Sequence, residues 1–307
     1  MYRIIRFIYR ALKKIPRPVY WVVWVVQTVQ TKSFRFVLAF PPGHYYSPIP
    51  NSKDVLAREL FDRDTKKCPG VDLREEAQLG MLEIFSRYYD DLPWDEMPSK
   101  GMRYYFENPF FAYGEAIVLY TFLRHYKPRR VLEVGSGFSS AAMLDINDLF
   151  LEQAVRFTFV EPSPERLFEL LDPEDDPIIV RDLVQDVPLE LFSSLHENDI
   201  LFVDSSHVAK IGSDVAHILF EVLPALRSGV LVHFHDVFWP FEYPKEWFLR
   251  GWAWNESYFL RSFLQYNTAF EIVYFNSYLG THHRDSLREK LPLCSRHPGS
   301  SLWLRRV

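Results

Sequence analysis

Cysteine is scarce in this chain. Cys68 and Cys294 are the two among 307 residues, far apart and without metal-ligand spacing, which excludes a disulfide framework and a cysteine zinc site and makes a reducing, cytoplasmic compartment the expectation. Long apolar runs are missing too. The stretch Val19 to Val29 is about half the roughly 20 residues needed to cross a bilayer, so it should not span one. No small-residue cleavage site follows it, which argues against a secretory signal, and there is neither an internal repeat nor a low-complexity tract. Acidic residues are absent from residues 1 to 53, which hold nine Lys or Arg; the overall charge of -5 therefore hides a strongly acidic remainder, 26 basic against 40 acidic residues.

Within the basic arm, Arg3, Arg6, Arg10, Lys13, Lys14 and Arg17 recur at helical spacing beside Ile4, Ile5, Ile8, Leu12 and Ile15. That pattern predicts a basic amphipathic helix ended by Pro16 and Pro18. Residues 1 to 36 are expected either to lie on an anionic membrane surface, at the inner face, or to pack on the body of the protein or on a second subunit. A homo-oligomer is compatible with the second choice, and no nucleic-acid partner is expected.

What is present is ample for a sizeable core: 26 Phe, 17 Tyr and 8 Trp suit one large domain with additions. After Pro41-Pro42-Gly43, helical character is expected over Val55 to Arg63, Glu75 to Tyr89 and Pro109 to Tyr126. Beyond residue 128 the pattern changes. Apolar strands at Arg130 to Val134, Val155 to Glu161, Ile178 to Leu183, Ile200 to Asp204 and Val230 to Asp236 alternate with helix-length segments, the fourth being Val208 to Leu226. Such βαβ units imply a Rossmann-like, doubly wound, mostly parallel α/β sheet. Two alternating segments, Phe270 to Phe275 and Ser301 to Arg306, would complete seven strands as an antiparallel C-terminal hairpin joined by a polar loop. The expected organisation is an arm (1 to 53), a helical N-terminal cap (54 to 127) and a Rossmann-like domain (128 to 307).

Ligands in this architecture bind beyond the carboxyl ends of the strands. After the first strand comes Gly135-Ser136-Gly137-Phe138-Ser139-Ser140, a glycine turn that lets backbone approach a cofactor at a helix N-terminus. The third glycine of a dinucleotide fingerprint is missing, which disfavours a pyrophosphate, while Ser139 and Ser140 could donate to a carboxylate. Glu161 ends the second strand where a ribose diol would lie. Alone it reads as a helix-capping or solvated acid; with Gly135 it reads as part of an adenosine site.

These residues resemble those of class I S-adenosylmethionine-dependent methyltransferases, over roughly residues 105 to 307. Val131 to Gly137 looks like that family's first motif and Phe159 to Pro162 its second. The resemblance implies that Glu133, Gly135, Ser136, Gly137, Ser139 and Ser140 surround the methionine part of the cofactor, and Glu161 its ribose. Val184-Gln185-Asp186-Val187-Pro188 resembles the adenine-flanking loop of catechol O-methyltransferases, nominating Gln185. Asp204-Ser205-Ser206-His207 and His235-Asp236 are similar to strand-end segments of small-molecule O-methyltransferases of the macrocin and cephamycin type.

The implied reaction moves a methyl group to a hydroxyl of a small-molecule or sugar acceptor, which needs alignment and removal of one proton. His207 is the expected base with Asp204 beside it. Asp204, His235 and Asp236 form a candidate site for Mg²⁺, although the imidazole suits Mn²⁺, Fe²⁺ or Zn²⁺ better. His233 alternates with His235 along a strand and reads as a packing residue. The aromatics between Phe238 and Tyr278 either wall a substrate pocket or form an interface or core, and Phe40 to Tyr46 could cover the same mouth. A nicotinamide-dependent oxidoreductase is the first rival, disfavoured by the missing third glycine and the lack of a Tyr-x-x-x-Lys pair; a non-catalytic cofactor-fold module is the second.

Overall fold

A computed structural model describes residues 40, 42 to 58, 60, 61 and 65 to 307. The basic arm and the Val19 to Val29 run lie outside the described residues, and no described helix is long and apolar enough to cross a membrane. The chain divides into two compact units, 1 to 60 and 61 to 307. In the first, His44 stacks on Phe40 and on Tyr45, and Tyr46 meets Phe40 edge-on. The helix Ser52–Ala57 is capped by the Asn51 side chain, which accepts from the Lys53 amide at 3.0 Å.

The second unit is built on seven strands, β1 (Arg130–Val134), β2 (Arg156–Val160), β3 (Ile178–Val180), β4 (Ile200–Val203), β5 (Leu231–Phe234), β6 (Phe270–Phe275) and β7 (Leu302–Arg306), in the order β3-β2-β1-β4-β5-β7-β6. Strands β1 to β5 pair in parallel, and β7 runs antiparallel to both β5 and β6. The central strands carry apolar residues on both faces; Ile200, Leu201, Phe202 and Val203 are all buried, as a sheet covered on two sides requires. The order reverses between β1 and β4. Right-handed crossovers on either side of that reversal send the connecting helices to opposite faces, and the crevice left between the ends of β1 and β4 is where this architecture places ligands.

The antiparallel pairing of the last two strands is as expected, but their connection is not a polar loop. Helices Asn276–His282 and Arg284–Lys290 fill it, because Tyr278, Leu279 and Leu287 find buried positions there and tertiary burial outweighs a weak local pattern. A second difference matters for the site. The helix expected from Val208 begins only at Asp214 (Asp214–His217), continuing through a π-helical turn, Ile218–Val222. The Ser213 hydroxyl accepts from the Ala216 amide at 3.1 Å and Gly212 takes a φ of 71°, so residues 208 to 213 form a loop at the crevice.

His233 packs as expected, fully buried with its ring stacked on Phe202 at 3.7 Å and edge-on to Trp303. Burial holds it neutral by pushing its pKa well below the ordinary range. Trp303 stacks in turn on Phe122 of the helix Tyr113–Tyr126.

Candidate active site

The glycine turn leaves β1 over the end of β4. Gly135 has φ 84°, and a Cβ there would sit 2.0 Å from the Asp204 carbonyl oxygen, so both conformation and space demand glycine. Gly137 is less constrained, since an added Cβ would meet only the Arg166 side chain, at 3.2 Å. Beneath the turn, the hydroxyls of Ser139 and Ser140 both donate to the carboxylate of Glu133. Ser140 also accepts from the Gly137 amide at 3.1 Å. All three side chains are buried, and burial pushes Glu133 up to about 8, against the pull of the two serine bonds. The serine hydroxyls expected to face a ligand are therefore committed to Glu133, which braces the start of the helix Phe138–Phe150 from below. Ser136, by contrast, lines the crevice and has a buried hydroxyl without a partner.

Two adjoining cavities open along the strand ends. The first, of about 370 Å³, lies between Glu161, Gln185, Gly212 and the Gly135 turn, with Leu183 and Val184 as apolar walls. Glu161 accepts from the amides of Ser136, at 3.2 Å, and Ser163, at 2.8 Å, which aims the carboxylate along the crevice. Gln185 donates to the Gly212 carbonyl at 2.7 Å. Its Oε1 is buried and unpartnered, an acceptor awaiting a donor such as an exocyclic amine. An acid for a diol, an amide acceptor and apolar walls fit adenosine.

The second cavity, about 360 Å³, shares Gly135, Glu161, Asp204, Ser205 and Ser206 with the first and adds Phe110, Arg166, His207, His235, Asp236 and Trp254. Here three side chains converge. His207 Nε2 lies 3.3 Å from Asp204 Oδ1 and 3.7 Å from Asp236 Oδ2, while its Nδ1 lies 2.9 Å from Glu256 Oε2. Although burial disfavours the imidazolium, Asp204 and Glu256 outweigh it and raise His207 well above its ordinary pKa. Burial acts to raise Asp204 as well, yet the charges of His235 and His207 hold it down at about 2. Asp236 goes the other way, raised by burial despite the same histidines.

One oxygen or nitrogen from each of Asp204, His207 and Asp236 comes within 4.8 Å of the others, a donor set that fits a divalent cation. His235, expected in that set, stands beside it. Its Nε2 faces Glu115 Oε1 at 3.9 Å and Asp236 Oδ1 at 3.7 Å, because successive residues of an extended chain point to opposite faces and the backbone turn at Asp236, φ 56°, leaves its carboxylate near His207. With one imidazole and two carboxylates the site suits Mn²⁺, Fe²⁺ or Zn²⁺ as well as Mg²⁺.

Sequence reading missed the supports of this cluster. The Ser300 hydroxyl donates to Asp236 at 3.1 Å and its backbone amide to Glu115 at 3.1 Å, and Glu256 holds His207 from 49 residues away; no spacing rule links such residues. The aromatic segment divides between the two roles foreseen for it. Trp239, Phe241 and Tyr243 are buried, whereas Trp254 covers the His207 ring at 4.4 Å and is backed by Trp252 and Trp247.

The strand order, the glycine turn at its reversal and the crevice beside it are those of the class I methyltransferase fold. Residues 132–237 match a family described as a methyltransferase domain, and an uncharacterized protein of Archaeoglobus fulgidus is 38% identical over 176 residues, 52% of this chain and 76% of that protein. The chain belongs to one family with that archaeal protein. Among solved structures it is similar to an SAH-bound methyltransferase of Podospora anserina, 16% identical, covering 85% of this chain and 99% of that one with a TM-score of 0.41. It is also similar to the O-methyltransferase TomG of Streptomyces achromogenes in complex with SAM, 15% identical, covering 84% and 96%, TM-score 0.34.

Proposed function

We propose that the protein methylates a hydroxyl of a small-molecule or sugar acceptor held in the second cavity. The observation that carries this reading is the convergence of Asp204, His207 and Asp236 at the wall shared with the adenosine cavity, where an acceptor oxygen and a donor methyl would meet. S-adenosylmethionine, when bound, supplies that methyl group on a sulfonium. Glu161 and Gln185 would hold its ribose and adenine, and the Gly135 turn with Ser136 its methionine part.

For the acceptor, the chain supplies alignment and a proton sink. His207, in the neutral form that its raised pKa makes the minor one at neutral pH, would take the acceptor hydroxyl's proton at Nε2, with Asp204 stabilising the resulting imidazolium. Trp254 excludes water from the far side of the ring. The three-residue donor set favours a second version, in which Asp204, His207 and Asp236 hold a divalent cation; when bound, such an ion lowers the pKa of a coordinated hydroxyl. Incubation with methyl-labelled S-adenosylmethionine and an extract of the source organism is expected to yield a labelled acceptor and S-adenosylhomocysteine. EDTA should abolish the labelling if the cation version holds; full activity in EDTA would leave the two aspartates as orienting groups. A protein that generates no S-adenosylhomocysteine from any acceptor pool would instead be a non-catalytic module.

The basic arm supports a peripheral association with an anionic membrane surface from the cytoplasmic side. Deleting residues 1 to 36 should move the protein from membrane pellet to supernatant, and a full chain already wholly in the supernatant would end that idea.

A further inference from the structure

We propose that Glu256 is a positioning residue for the reaction, its buried carboxylate fixing which nitrogen of His207 bears hydrogen and where the other nitrogen points. The consequence for turnover rests on the methyltransferase reading above; the geometry does not. His207 stands beyond the end of β4 with φ 60°, a strained conformation for a non-glycine residue that persists only where neighbours hold it. The segment Trp254-Asn255-Glu256 does so. The amides of Asn255 and Glu256 donate to the His207 carbonyl at 3.0 and 3.2 Å. Asn255 Oδ1 accepts from the Ala209 amide at 2.6 Å, its Nδ2 donates to the Ala209 carbonyl at 3.2 Å, and Trp254 covers the imidazole.

Glu256 opens the helix Glu256–Leu264, is 1% exposed and lines neither cavity. An acid at such a position ordinarily accepts from the free amides of its own first turn. This one turns away from them: its Oε2 lies 2.9 Å from His207 Nδ1, and its Oε1 accepts from the Ser205 hydroxyl at 3.5 Å. An ionised carboxylate only accepts, so Glu256 keeps hydrogen on Nδ1 and leaves Nε2, on the side of Asp204 and Asp236, as the nitrogen whose lone pair is bared when the ring is neutral. Either version of the chemistry needs that lone pair, as proton acceptor or as cation ligand, and carboxylates behind a functional histidine serve this purpose generally.

The test uses the full chain labelled with ring-¹⁵N histidine. The Nδ1–H resonance of His207, assigned by its disappearance in His207→Gln, should persist in Glu256→Gln, whose amide oxygen can still accept, and vanish in Glu256→Leu. Turnover should fall about 10- to 100-fold in Glu256→Leu with affinity for S-adenosylhomocysteine unchanged, and Glu256→Gln should recover most of it. An unchanged resonance in Glu256→Leu, or a glutamine variant as impaired as the leucine one, overturns the proposal. Loss of the resonance in a protein that turns over no acceptor would uphold the positioning role and sink the methyl-transfer reading, so the two failures are distinguishable.

Discussion

His207→Ala should lower turnover by about 10² or more while S-adenosylhomocysteine binds as in the wild type. The size follows from the worth of a positioned general base or acid. The selectivity follows from geometry, because His207 lines the second cavity and not the first. Its Nε2 stands 3.3 and 3.7 Å from the two strand-end aspartates, so its removal breaks either version of the chemistry at once. Calorimetry with S-adenosylhomocysteine and a labelled-methyl assay separate the two effects. Equal turnover in the variant would take His207 out of the mechanism; a parallel loss of cofactor affinity would make its role structural.

Gly135→Ala is expected to damage both fold and activity. An alanine at φ 84° pays roughly 1–2 kcal/mol for its left-handed conformation. Its Cβ would also lie 2.0 Å from the Asp204 carbonyl oxygen, a distance only backbone movement can relieve. That carbonyl belongs to the residue whose side chain faces His207, so the movement displaces the glycine turn and the reacting cluster together. A displacement of about 1 Å can cost 10²-fold in rate, and turnover should fall by at least that much along with the melting temperature. Gly137→Ala is the control: its added methyl meets only a flexible Arg166 side chain at 3.2 Å and should cost far less. Equal melting temperatures and turnover for the two variants would show that the close approach at Gly135 is not limiting.

The contrast between these two glycines shows where sequence reading stops. A Gly-x-Gly turn between an apolar strand and a helix is visible in one dimension, because strand, turn and helix are local and periodic. That only the first glycine is sterically required depends on the Asp204 carbonyl, which arrives from a strand 69 residues later. Ser139 and Ser140 teach the same lesson. Their hydroxyls suit a ligand carboxylate, but the buried carboxylate of Glu133 takes both.

The strand-end crevice itself was largely legible. Five strands with residues of consequence immediately after them imply a ligand at the carboxyl edge of a parallel sheet, and Gly135, Glu161, Gln185 and Asp204 do line one cavity. The chemistry-bearing half was legible only by halves. Asp204, His207 and Asp236 follow two strands that the pattern places side by side, whereas the choice of His207 over His235 as third member of the donor set turns on which way each side chain leaves the backbone.

Taken alone, the sequence determines the doubly wound sheet, the place of its crevice and the acid, amide and glycine that line its first cavity, since each of these follows from local periodicity and from residues adjacent to strand ends. Tertiary structure alone decides which histidine joins the two aspartates, that β7 slips between β5 and β6 across two intervening helices, and that Glu256, 49 residues downstream, stands behind the imidazole. The reason is physical: a buried carboxylate must find a partner somewhere, and which one it finds is set by how distant segments pack rather than by their spacing along the chain.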